Sequence, residues 1–294
     1  MNTTNNKQRP AAVVTVGRRF QPQAVILAKK TAAELNLPYF ERGRESYQSL
    51  REKYGTDFIL VAKNGTLTLD TPQGELFFHP GMAHNRIRNL CVGKSDYLVE
   101  ALGLKQGMSV LDCTLGPAAD ALVAAVAVGE TGRVVGLEIN PLVATVIGYG
   151  LSHNIGENYT VHAAMRRIEV KNVAHEDFLR TMPDNSFDAV YFDPMFRHPF
   201  EDSVSLSPLR TVAEKNAVTD SAVAEAKRVA KHRVVIKESS LSQEFARLGF
   251  TDFVGGKYSR IKYGVWKKEA GRQKTVGSCP TPRQGATAPP APRG

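Results

Sequence analysis

The sequence predicts an α/β protein: a Rossmann-like, doubly wound sheet ending in a β-hairpin and preceded by a small N-terminal α/β domain. Three observations carry this expectation. Ser109 to Asp120 runs from a short apolar strand through a tight turn holding Asp112, Thr114 and Gly116 into a helix rich in Ala and Val. The next strand, Arg133-Val-Val-Gly-Leu, ends in Glu138. Strand and helix patterns then alternate up to a final pair of strands joined through Gly255-Gly256. A strand that enters a helix through such a turn aims backbone N–H groups and a partial positive charge at the mouth. Gly116, with no Cβ, lets a ligand approach the main chain closely. An acid at the end of the second strand can hold two ribose hydroxyls. Together these are the layout of a nucleoside-binding domain, although one glycine is a weak motif where dinucleotide folds carry three.

From the N-terminus, residues 1–10 are polar and predict a disordered start. Residues 11–78 form the small domain. Ala11–Val16 predicts a strand, and Val25, Ala28, Ala32 and Leu35 recur at helical spacing. A short strand is expected around Pro38-Tyr39-Phe40, and Ser46 can cap a helix bearing Tyr47, Leu50 and Tyr54. Asn64-Gly65 between two apolar runs signals a hairpin, and Thr71-Pro-Gln-Gly a second turn. No chemistry is identifiable in this domain. Residues 79–268 form the second domain. It opens with Pro80-Gly81 and a helix carrying Arg86 and Arg88, which are either a solvated face or phosphate ligands. His79 and His84 read as packing or capping residues. Pro141 starts the helix after Glu138 at its favoured first-turn position. Ile168–Val173 is a third strand followed by Glu176 and Asp177; Asp177 reads equally as an adenine contact or a helix cap. Phe187–Phe192 is a fourth, buried strand ending in Asp193-Pro194-Met195-Phe196. Residues 197–211 predict a long loop, a candidate lid. A helix over 220–231, a strand over 233–238 and the terminal hairpin complete the domain. Residues 269–294, rich in Pro and Gly, predict a disordered basic tail.

Composition limits the function classes. The net charge is +9, of which residues 270–294 hold +4 (Arg272, Lys274, Arg283, Arg293) and the remainder +5. That excess suits an anionic partner such as RNA, and Arg260 near the last hairpin belongs with Arg86 and Arg88 as a candidate phosphate contact. No run of apolar residues is long enough for a membrane span, and the polar start is not a signal peptide. Cys91, Cys113 and Cys279 show no paired spacing, which points to a reduced, cytoplasmic setting. The histidines lack metal-ligand spacing, so no metal is expected.

The motifs D-x-T-x-G-x-x-x-D (Asp112–Asp120), L-E-x-x-P (Leu137–Pro141), D-P-M-F (Asp193–Phe196) and Ser259-Arg260 resemble the bacterial small-subunit rRNA guanine-N2 methyltransferases, RsmJ-like members of the class I S-adenosylmethionine (SAM) methyltransferases. The resemblance covers residues 78–268; the preceding residues look like the added N-terminal region of a related group. It implies the class I methyltransferase sheet, SAM as cofactor, RNA as partner, and a place around SAM for Asp112, Gly116, Ala119, Asp120, Glu138, Ile139, Asp177 and Asp193. It further implies that Asp193 and Pro194 receive the target amine while Phe196 stacks on the base. Three departures stand out. Ala118 replaces the family's second glycine, Ala119 replaces its arginine, and Glu176-Asp177 replaces two small hydroxyl residues. The rival readings are an NAD oxidoreductase, which would need G-x-G-x-x-G, a non-catalytic SAM- or RNA-binding module, and a 2′-O-ribose methyltransferase using Asp193 with Lys237.

Overall fold

The computed structural model describes residues 10–154, 159–194 and 217–269. In the N-terminal part, strands β1 (Val13–Val16), β2 (Ile59–Lys63), β3 (Thr66–Thr71) and β4 (Gly74–Leu76) form one sheet in sequence order. β1 and β2 are parallel, and the two following pairs are antiparallel hairpins. Helix α1 (Pro22–Glu34) crosses between β1 and the rest, while α2 (Tyr47–Tyr54) is capped by Ser46, whose hydroxyl accepts the Ser49 N–H at 3.0 Å. The strand expected at Pro38–Phe40 is a single bridge, Val14 to Tyr39, held by the Val14 N–H to the Pro38 carbonyl and the Phe40 N–H to the Val14 carbonyl, both 2.9 Å.

The second part opens with α3 (Gly81–Cys91) and α4 (Tyr97–Leu102). His79 caps the first, its Nδ1 accepting the Gly81 N–H at 3.0 Å. Then follow β5 (Ser109–Asp112), α5 (Ala119–Val128), β6 (Arg133–Glu138), α6 (Pro141–His153), α7 (Tyr159–Met165), β7 (Ile168–Asn172), α8 (His175–Thr181) and β8 (Phe187–Phe192). The last elements are α9 (Asp220–Val229), β9 (Ala230–Ser239), α10 (Glu244–Arg247), β10 (Asp252–Val254) and β11 (Ile261–Lys267). Their sheet has the order β10-β11-β9-β8-β5-β6-β7. Five strands are parallel, and β11 lies antiparallel between β9 and β10. The strand order reverses between β5 and β8, and ligands of open α/β sheets bind outside the carboxyl ends at such a switch point. Asp112 and Asp193 stand at those two ends.

The N-terminal sheet packs directly against the second part of the chain. One buried apolar cluster runs from Val14, Leu60 and Leu69 of the first sheet through Phe78 to Ile147 and Leu151 of α6. Gly150 makes this docking possible: a Cβ there would stand 2.2 Å from the Phe78 Cβ. The two sheets therefore share a core instead of being joined by a linker. The second cluster lies on the other face of the large sheet, under α8, α9 and α10.

Candidate active site

β5 ends at Asp112, and the chain turns through Thr114 and Gly116 before α5 begins. Gly116 has φ +48° and Ala118 has φ +63°, so the turn needs a left-handed residue on each side of Pro117. Glycine meets this at no cost, whereas an L-residue such as Ala118 carries about 1 kcal/mol. Replacement of the family's second glycine is thus a replacement at a position whose backbone still favours glycine. The Ala118 methyl is fully buried in the core, which offsets part of the strain.

Glu138 closes the turn from the neighbouring strand. Its carboxylate accepts the Gly116 N–H at 3.3 Å and the Asn140 N–H at 2.9 Å. Asn140 caps α6, accepting from Leu142 and Val143. Asn172, at the end of β7, donates to the Glu138 and Ile139 carbonyls at 2.8 and 2.9 Å. Ile139 is apolar yet 42% exposed beside this acid. Ala119, half-buried, is the first residue of α5.

Below the turn lies a chain of charges that the motifs did not announce. Arg86 of α3 binds both oxygens of Asp96 at 2.8 and 2.9 Å and also pairs with Asp120 of α5. Asp120 accepts the Tyr191 hydroxyl at 2.7 Å and the Lys237 ammonium at 2.9 Å. Lys237 reaches the Asp193 carboxylate at 2.7 Å. The Asp193 N–H donates to the Thr114 hydroxyl at 2.6 Å, which ties the end of β8 to the cofactor turn. Lys237 reaches this face by strand alternation: Val234 and Ile236 enter one core, while Val235 enters the other and Lys237 follows it.

Burial and neighbouring charges shift these groups in different directions. Burial pushes the Asp112 carboxyl up to about 8, opposed by the Thr114 N–H and assisted by Asp120 and Asp193. Burial also raises Asp193, to about 6; Lys237 opposes this and Asp120 adds to it. Asp120 pays the same desolvation cost, but Lys237 and Arg86 hold it well below the ordinary carboxylate range. Lys237 is raised despite burial, because Asp193 and Asp120 stabilise its charge.

The expected site residues separate into three groups. Asp112, Gly116, Ala119, Glu138, Ile139 and Asp193 gather at the carboxyl edge between β6 and β8. Asp120 is nearby but lies beneath the turn, 9% exposed, with its oxygens engaged by Arg86, Tyr191 and Lys237. Asp177 stands apart: its side chain is 69% exposed and accepts from Arg180 of the same helix at 3.0 Å. It is within the first turn of α8, where its charge favours the helix dipole, and the cap is Ala174. Arg86 is not on a solvated face, as two carboxylates hold it; Arg88 and Arg260 are exposed. Pro194 ends the described part of the motif, and Phe196 and the loop over 197–211 lie outside the described residues. The sequence placed Lys237 beside Asp193 only in the ribose-methyltransferase alternative and did not show its contact with Asp120.

A parallel sheet with an antiparallel strand inserted before its last edge, and an acid-lined mouth at its switch point, define a class I SAM-dependent methyltransferase. The family described as "Putative SAM-dependent methyltransferase" matches residues 46–262, and the chain belongs to it. It is 39% identical over 254 residues to the uncharacterized protein YpiP of Bacillus subtilis, covering 86% of this chain and 98% of that one. It is 26% identical over 187 residues to ribosomal RNA small subunit methyltransferase J of Buchnera aphidicola, covering 60% of this chain and 72% of that one. Among solved structures, the SAM-dependent methyltransferase NGO1261 from Neisseria gonorrhoeae shares the fold with a TM-score of 0.61 at 17% identity, over 91% of this chain and all of that chain.

The cofactor is SAM, and the donor set fits it. A pyrophosphate would need cationic or open N–H ligands at the turn, but Lys237 and Arg86 are spent on carboxylates. Glu138 and Asp193 instead bring carboxylate acceptors to the mouth. Glu138 would hold the ribose hydroxyls. When bound, SAM supplies a methyl group on a sulfonium whose leaving group is a neutral thioether. Among the described residues no cluster of His, Cys, Asp and Glu could hold a metal, and no helix is long and apolar enough to cross a membrane.

Proposed function

We propose that this methyltransferase acts on an exocyclic amino group of a nucleobase in RNA, with guanine N2 of rRNA as the first target to test. The observation that carries the reading is the placement of Asp193-Pro194 at the end of β8, tied to the cofactor turn through Thr114 at 2.6 Å. An amine whose lone pair is delocalised into the ring has to be fixed with that pair towards the methyl carbon. N–H bonds to the Asp193 carboxylate and the Pro194 carbonyl do this, and orientation alone can supply several kcal/mol. As nitrogen takes the methyl, its proton becomes acidic and passes to Asp193 or water, so no strong base is needed. The similarity to a ribosomal RNA small subunit methyltransferase supports RNA, and the motif resemblance to guanine-N2 methyltransferases is the sole support for guanine.

A ribose hydroxyl is a poorer substrate for this geometry. Its activation by Lys237 would need a neutral amine, and two carboxylates hold Lys237 charged. Pyrimidine C5 needs a thiolate, yet the Cys113 thiol is buried and pushed well above its ordinary range. Mass spectrometry of rRNA and tRNA nucleosides from a deletion strain, complemented by wild type or Asp193→Ala, tests the assignment. We expect one N-methylated nucleoside to vanish on deletion, return with wild type, and stay absent with Asp193→Ala. A missing methyl on ribose or carbon, restored by Asp193→Ala, would overturn it.

A further inference from the structure

We propose that Lys237 is a positioning residue for methyl transfer: its single ammonium ties the substrate-facing carboxylate of Asp193 to Asp120 on the first turn of α5. The inference rests on the reading of Asp193 as the acceptor of the target amine. Its geometry is specific. Lys237 Nζ stands 2.7 Å from Asp193 Oδ2 and 2.9 Å from Asp120 Oδ2, and its side chain is 18% exposed. The two carboxylates come from different elements, one following β8 and one in α5, and the lysine comes from a third, β9. The Asp193 N–H is held independently by Thr114, so the backbone and the carboxylate each have a fixed partner on the cofactor side. A hydrogen-bond acceptor whose direction is set before substrate arrives loses little freedom on binding.

The same contact keeps Asp193 an acceptor. A protonated carboxyl would donate one hydrogen and present a weaker acceptor to an N–H₂ group. The charged and titratable groups facing Asp193 are Asp112 at the end of β5, Asp120 of α5, Lys237 of β9, and, one contact further out, Arg86, Asp96, Tyr191 and Tyr263. Burial and Asp120 favour its protonation, while Lys237 opposes it. Arg86 is committed to Asp96 and Asp120 and cannot replace the lysine. Removing the ammonium leaves the effects of burial and of Asp120, so the carboxyl titrates at higher pH. Activity that needs the carboxylate rises with pH through that titration, and its acid limb therefore moves up.

The test measures kcat/KM against pH for wild type, Lys237→Met, Lys237→Arg and Asp193→Asn, using SAM and total RNA from the deletion strain as substrate. SAM binding and circular dichroism report whether each variant folds. For Lys237→Met we expect the acid limb to move up by about one pH unit or more, a loss of about tenfold or more at pH 6 that narrows towards pH 8.5. Lys237→Arg should keep the limb near its wild-type position, and this variant carries the test if Lys237→Met fails to fold: the proposal then requires its limb to stay while Lys237→Gln moves. A folded Lys237→Met whose profile is lowered uniformly, with no movement of the limb, would overturn the proposal while leaving Asp193 in place. Full activity in Asp193→Asn would instead overturn the reading of Asp193 on which it rests.

Discussion

At the scale of single residues, Glu138 shows how one acid serves two turns. It satisfies the N–H groups of Gly116 and Asn140 from one carboxylate, at the place where a ribose would compete for the same oxygens. Glu138→Ala should weaken SAM binding by about 1.5–3 kcal/mol, the range for hydrogen bonds to a charged group. Titration calorimetry at neutral pH measures this directly, and unchanged affinity would remove Glu138 from the cofactor site. Ala118 makes the opposite point. Its left-handed backbone was set by the turn, and its side chain was accepted at a strain cost.

At the scale of elements, the α3–α4 segment is latched to the methyltransferase sheet by charge as well as packing. Asp96 caps α4 through the N–H groups of Leu98 and Val99 and holds Arg86 with the same carboxylate. Arg86 in turn reaches α5, and Arg233 of β9 donates to the Glu100 and Ala101 carbonyls at the other end of α4. Arg86→Met would strand two largely buried acids. The loss for a fully buried pair is about 3–5 kcal/mol. Because Asp120 keeps Lys237 and Arg86 is partly exposed, about 2 kcal/mol is expected here. Urea denaturation reads it out as a lower midpoint. A variant of unchanged stability that bound RNA more weakly would return Arg86 to the role of a phosphate contact.

For the whole molecule, the proposed RNA contacts include the exposed Arg88 and Arg260. Ser240, just after β9, donates to the Arg260 carbonyl, which brings the β10–β11 turn beside the end of the strand carrying Lys237. That turn carries Lys257, Arg260 and Tyr258, the last 90% exposed, with Arg88 exposed on α3. An aromatic face among cations suits single-stranded RNA, where stacking on one base contributes about 1–3 kcal/mol. Neutralising Arg88 and Arg260 together should weaken binding to a single-stranded oligoribonucleotide across sequences and flatten its salt dependence by up to about two counterions. Fluorescence anisotropy at several salt concentrations measures the slope; an unchanged slope would make them a solvated face.

The sequence by itself determined the succession of the seven strands of the large sheet, the glycine turn after the first of them and the acid that ends the second. These depend on local pattern: period-2 and period-3.6 burial, a glycine where φ must be positive, and a carboxylate at a strand end. The hairpin at Asn64-Gly65 and the cap at Ser46 were legible for the same reason. Helices α4 and α7 are too short to show a period, and their faces are set by what they pack against. The partners of charged residues were decided only by tertiary structure. Arg86 read as a solvated face or a phosphate ligand, Asp177 as an adenine contact or a helix cap, and Lys237 as a partner of Asp193 in one alternative only, since a charge in sequence carries no sign of its partner. Folding brought Arg86 and Lys237 to Asp120 from opposite ends of the domain and left Asp177 on the surface with Arg180. Burial then made those pairings obligatory, because an ion removed from water is tolerated only beside its counter-ion.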